Sequence, residues 1–142
     1  MKFQGGVKEA AKMLAGLSRS AREKVLEIIS KKDPNMAQAL HKNMYTFEDL
    51  QYLTPLMLIE LLREIKISDM GLSLRISSNE LKDFIFKNSP RGIRQELEDI
   101  LTGPPQLASR VEEAQERIMT IVRVKLDKGQ LIINKDTSEK LV

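Results

Sequence analysis

Cysteine and tryptophan are absent from this chain of 142 residues, and histidine occurs once. Without cysteine there is no disulfide, iron–sulfur cluster or thiolate zinc site, which agrees with a reducing compartment. The single histidine, His41, has no nucleophile elbow beside it, so a Ser-His-Asp triad is disfavoured; it falls near the end of a predicted helix, where a cation suits the dipole. No apolar run approaches the roughly 18 residues of a membrane span. The best candidate, Leu56 to Leu62, is broken by Glu60. The N-terminus lacks the apolar stretch of a secretory signal and reads as no targeting segment. Aromatic residues make up only 4% of the chain and the net charge of +3 is dispersed, whereas a nucleic-acid binder would gather a basic stripe with aromatics between. No phosphate-cradling glycine loop, HExxH, calcium loop or metal-ligand cluster is present. The expectation is a non-enzymatic protein with no catalytic residue, metal, cofactor, small-molecule substrate or nucleic-acid partner.

What the chain does contain is helix. Apolar residues are 42% and charged ones 30%, enough to bury a core, and the apolar positions recur with helical spacing almost throughout. Gly5 and Gly6 provide a pivot or a capping turn before a helix carrying Val7, Ala10, Ala11, Leu14 and Leu17. Ser20 with Glu23 forms a capping box for a second helix, and Asp33-Pro34 opens a third. Together, residues 7–43 predict a small helical-repeat unit too thin to stand alone. The periodicity breaks at Met44, Tyr45, Thr46 and Phe47, which lie between two cores and serve as a hinge or as interdomain packing. Thr54-Pro55 starts a helix apolar on nearly every side, placed at the centre of a second core. Ser68, Ser77 with Glu80, Ser89-Pro90 and Ser109 with Glu112 open four more, the last running to about Lys128 before Gly129. The seven methionines fall at core spacing.

One predicted helix, from Pro90 to Thr102, is built unlike the others. At about 100° per residue, Arg91, Arg94, Gln95, Glu98 and Thr102 share a stripe with Asp99 at its margin, while Ile93, Leu97, Ile100 and Leu101 face the other way. Its charges run against the dipole, arginines first and acids last, each placement disfavouring the helix by about 0.3 to 1 kcal/mol when exposed. Arg94 and Glu98 also form an i,i+4 pair in the weaker orientation. The final helix is a control within the same chain: Glu112, Glu113 and Glu116 precede Arg117, Arg123, Lys125 and Lys128, as the dipole prefers. Local stability does not explain the reversed order. A surface that presents plus then minus to a complementary partner would explain it, and so would a solvated face with an accidental arrangement.

A family likeness rests on Gly5-Gly6-Val7 before an alanine-rich helix, Asp33-Pro34, the run Met44 to Leu50, Leu62-Arg63-Glu64, and Ser89-Pro90-Arg91 ending in Gly103-Pro104. From about Gly5 to Ile133 the chain resembles the C-terminal region of the bacterial flagellar motor switch family FliG. The resemblance implies an all-α fold: a glycine linker at 1–6, an armadillo-like helical-repeat subdomain at 7–43, an MFxF-type hinge at 44–47, a six-helix bundle-like torque subdomain at 48–134, and a polar tail at 135–142. It implies a rotor part that transmits torque through charge complementarity with the stator and reorients its charged helix for switching. The stator-facing charges would be Arg75, Arg91, Arg94, Glu98 and Asp99, with Arg75 where the family usually has lysine. The implied partners are the cytoplasmic loop of the stator protein MotA, the switch protein FliM and neighbouring FliG subunits in a ring, on the cytoplasmic face of the inner membrane at the basal body. Tyr45 departs from the family's phenylalanine and Gln106 from its usual basic residue, and the turn is one residue shorter, so the charge set is incomplete. The family's N-terminal and middle domains have no counterpart here, as in a fragment of a longer protein. The competing reading is a helical adaptor, a divergent paralogue without a torque role.

Overall fold

The positions where helices can start decide how this chain is cut. In the computed structural model, which describes residues 6–135, every regular element is helical. The chain divides between Thr46 and Phe47 into two compact units.

The first unit holds α1 (Gly6–Ala15), α2 (Arg19–Lys32) and α3 (Pro34–Asn43), with α3 packed on both of the others. Gly6 is thus the first turn of α1, while Gly5 lies outside the described residues. The Ser20 capping box does not form. Ser18 caps α2 instead, its hydroxyl accepting from the Ala21 N–H at 3.3 Å. Asp33 ends α2 and starts α3, where its carboxylate accepts from the Met36 N–H at 3.1 Å and Pro34 fills the first turn. Ala11, Leu14, Ala15, Leu26, Leu40 and Met44 form the core. His41 is exposed in the last turn of α3.

The second unit begins with a 3-10 turn (Phe47–Tyr52) and continues through α4 (Pro55–Leu62), α5 (Ile67–Ser73), a second 3-10 turn (Leu74–Ile76), α6 (Asn79–Asn88), α7 (Arg91–Leu101) and α8 (Ala108–Asp127). Among the described residues these are five α-helices and two 3-10 turns, where six helices were expected. Thr54 caps α4 through the Met57 N–H at 3.2 Å. Leu58, Leu61 and Leu62 are buried, but Leu56 is 67% exposed, so α4 is not apolar-packed on every side. The Ser68 cap anticipated for α5 and the Ser109 box anticipated for α8 are absent: Lys66 and Leu107 hold the cap positions without a side-chain bond. Gly129, at φ +71°, closes α8 by a Schellman turn, with the Gln130 N–H donating to the Lys125 carbonyl and the Gly129 N–H to that of Leu126. The chain beyond it extends, with Leu131 and Ile133 buried and Ile132 exposed; of the polar tail, only Lys135 lies within the described residues.

α6 starts at Ser78, one residue later than the box anticipated at Ser77. The Ser78 hydroxyl accepts from the Leu81 N–H at 3.2 Å and donates to Glu48 at 2.5 Å, while the Ser78 N–H donates to the same carboxylate at 3.0 Å. One hydroxyl therefore caps a helix and ties it to the first 3-10 turn. Ser78→Ala is expected to lower stability by about 1 to 2 kcal/mol in urea unfolding, with Ser78→Thr retaining most of it. An alanine variant with the parent's midpoint would show the cap to be idle.

Candidate charged face on α7

α7 shows its two sides as the spacing predicted. Leu97 is fully buried and Ile93, Ile100 and Leu101 are half-buried, whereas Arg91, Arg94, Gln95, Glu98, Asp99 and Thr102 are exposed. The N-terminus is bare. Pro90 takes the cap position without a side-chain bond, and Ser89, expected to open the helix, turns back to donate to the Ile85 carbonyl at the end of α6 at 2.5 Å.

The charges of the stripe stay out of ion pairs. Among the described residues no salt bridge engages Arg91, Arg94, Glu98 or Asp99. The Arg94/Glu98 pair does not close, in keeping with its weaker orientation: Arg94 donates to the Ser89 carbonyl at 3.0 Å, and Gln95 donates to Asp99 at 3.2 Å. Seven residues of helix separate Arg91 from Glu98 by about 10 Å along the axis. α8 provides the contrast. Its Arg123 donates to Glu116 at 2.7 Å, Arg117 meets Asp69 at 2.9 Å, and Lys125 pairs with Glu64. The Arg117 guanidinium is held above its already high ordinary value by the Asp69 hydrogen bonds, against the lowering effect of burial, with the Asp69 and Glu113 charges adding. α8 thus engages three of its cations in ion pairs, whereas α7 leaves Arg91, Arg94, Glu98 and Asp99 without one among the described residues.

Arg75 departs from the expected set. It is half-buried, and its guanidinium donates through Nη2 to the Ile100 carbonyl at 2.7 Å and through Nη1 to that of Pro104 at 2.6 Å. It is a cap on the end of α7 and not a charge standing free with Arg91 and Glu98. A second feature had no reading in the sequence: a Cβ on Gly71 of α5 would come within 2.7 Å of Ile100 Cβ and Cγ2, so α5 and α7 meet at van der Waals closeness. An isolated glycine inside a helical pattern was the available signal.

The hinge residues separate between the units. Met44 belongs to the core of the first, Phe47 is buried and opens the second, and Tyr45 and Thr46 are half-buried. Among the described residues there is no group of three His, Cys, Asp or Glu that could hold a metal ion, and no helix is long and apolar enough to cross a membrane.

The same residues carry a relationship. The family model described as the FliG C-terminal domain matches residues 27–133. The chain is 33% identical over 140 residues to the flagellar motor switch protein FliG of Thermotoga maritima, covering 97% of this chain and 42% of that protein. It is 30% identical over 142 residues to FliG of Bacillus subtilis, covering 97% and 41% respectively. Among solved structures, a FliG fragment from Helicobacter pylori aligns with a TM-score of 0.66 at 26% identity over 92% of this chain and 62% of that one. Full-length FliG from Aquifex aeolicus aligns at 0.58 and 27% identity, covering 93% of this chain and 41% of its own. The chain spans about two fifths of the length of these curated relatives. With the helices from α3 to α8, the run Met44 to Phe47 and the reversed helix all inside the residues that the family model matches, the chain belongs to the FliG C-terminal domain family.

Proposed function

We propose that this chain is a rotor element of the bacterial flagellar motor, and that α7 is the surface against which the stator pushes. The observation that carries the reading is the reversed, unpaired charge order on an exposed stripe. In a helix ordered for stability, side-chain charges offset the macrodipole. In α7 they add to it: Arg91 stands at the positive end, Glu98 and Asp99 toward the negative end, and the helix projects a larger field than either contribution alone. A stator loop, here that of MotA, would place an acidic group near Arg91 and a basic one near Glu98 and Asp99. Exposed pairs of this kind contribute about 0 to 1 kcal/mol each, so contacts can form and break as the rotor passes.

The other assignments follow the family. Gly5-Gly6 serves as a linker ahead of the armadillo-like unit and the run Met44 to Phe47 as the hinge between that unit and the torque unit, and exchange of apolar contacts at Met44, Tyr45 and Phe47 would turn α7 for switching. Met13, Ile28 and Met36 remain exposed on the first unit, apolar surface that suits stacking on a neighbouring FliG subunit in a ring. FliM is the further partner, and the cytoplasmic face of the inner membrane at the basal body is the site of action. A helical adaptor without a torque role is the second reading. It is favoured by Arg75, whose engaged guanidinium leaves a smaller exposed charge set than the family pattern implies.

The test is charge suppression in motile cells whose switch protein carries this chain. Arg91→Glu is expected to stop or slow rotation with rings still assembled, and reversal of an acidic residue in the stator loop should restore it. Normal rotation of Arg91→Glu cells, together with loss of some other binding, would establish the adaptor instead.

A further inference from the structure

The C-terminal end of α7 is held from outside the helix. α7 has no basic residue in its last turn, so nothing in its own sequence offsets the carbonyl end of the dipole. The Arg75 guanidinium does so from the second 3-10 turn. Its two Nη groups grip carbonyls on either side of the turn that leaves α7, that of Ile100 before it and that of Pro104 after it. The grip has a price in polar satisfaction, because Nε is buried without a partner among the described residues. The turn is shaped around the guanidinium: a Cβ on Gly103 would stand 3.2 Å from Nη2. Within one helical turn before Arg75, Gly71 admits Ile100 at a distance no side chain would allow. α5 and the 3-10 turn after it thus hold the last turn of α7 at two points, one apolar and one charged.

We propose that Arg75 is a positioning residue, which fixes the direction in which α7 presents Arg91, Glu98 and Asp99, and not itself a stator contact. The inference rests on the reading of α7 as the stator-facing surface. The guanidinium suits this place because its two Nη donors are held apart in a rigid fork and reach carbonyls on opposite sides of a turn, whereas the three donors of a lysine ammonium share one nitrogen that both carbonyls would have to approach. Loss of the fork frees the turn and lets α7 pivot on the Gly71 contact.

The absence of cysteine makes the test direct. Spin labels at Glu96→Cys on α7 and Thr120→Cys on α8, both exposed and outside the proposed charge set, report through their separation any change in how α7 is held relative to α8 in the 142-residue chain. The parent should give one narrow distance. Arg75→Ala and Gly71→Ala should shift or broaden it, and Arg75→Lys should fall between. In Arg75→Ala the Thr102 and Gly103 amides should exchange about tenfold faster while the middle of α8 is unchanged. Identical distances and exchange in Arg75→Ala would overturn the proposal. If that variant does not fold, unchanged distances in both Arg75→Lys and Gly71→Ala would do so. A positioning role further predicts that Arg75→Lys, which keeps the charge, still weakens rotation, whereas a direct contact predicts full retention by lysine. The label distances need no stator, so they stand or fall independently of the motor reading.

Discussion

A chain carrying Arg91→Glu together with Glu98→Arg is expected to melt higher than the parent and to lose rotation. The substitutions put an acid at the positive end of α7 and a cation toward the negative end, converting two unfavourable placements into two favourable ones. Each swing is worth about 0.6 to 2 kcal/mol before solvent screening, and a net gain of about 1 kcal/mol is expected for side chains this exposed. For a unit of this size that raises the melting temperature by about 4 to 8 °C. Most of the gain should come from the Arg91 end, because Arg75 already serves the carbonyls at the other. Added salt should erase it, since at 1 M the screening length falls to about 3 Å. A gain in stability with loss of function separates a functional charge order from an accidental one. Unimpaired rotation in such cells, or a melting point lowered at low salt, would remove the physical basis of the proposed stator surface.

The largest effect on stability is expected at Leu97, which is fully buried beneath the charged stripe. Leu97→Ala removes three carbons from a packed site and leaves a cavity that its neighbours close only in part, which costs about 2 to 5 kcal/mol. Urea unfolding followed by circular dichroism should show that loss as a shifted midpoint with an unchanged slope. Leu97→Met, which conserves volume, should cost less than about 1.5 kcal/mol. Because Leu97 is the one fully buried side chain of α7, the alanine variant should also release α7 as a local unit, with its amides exchanging ahead of those of α5 and α8. A midpoint within experimental error of the parent would show that α7 is not held by its core face.

Local signals in the sequence reached as far as local interactions do. Apolar spacing identified the helices, Asp33-Pro34 and Thr54-Pro55 marked two of their starts, Gly129 marked the end of the last, and the two faces of α7 followed from a 3.6-residue repeat. Each of these depends on residues within one or two turns of one another. Serine caps were less legible: Ser18 and Ser78 hold the bonds anticipated for Ser20 and Ser77, because adjacent hydroxyls are chemically equivalent until the chain's path selects one.

Tertiary structure decided which charges are available. Arg75, between Leu74 and Ile76, and Arg91, between Pro90 and Gly92, are the same residue type, yet one grips the Ile100 and Pro104 carbonyls, 25 and 29 residues away, and the other stands in solvent. Asp69 with Arg117 and Glu48 with Ser78 are likewise matched across long separations. A charge's local sequence sets its sign and its place on a helix face, while its partner is set by whichever backbone or side chain the fold brings within about 3 Å. The sequence by itself therefore determined that a reversed charge bar exists on α7. Only the packing of α5 and its following turn against that helix decided which cations belong to the bar and which one holds it in place.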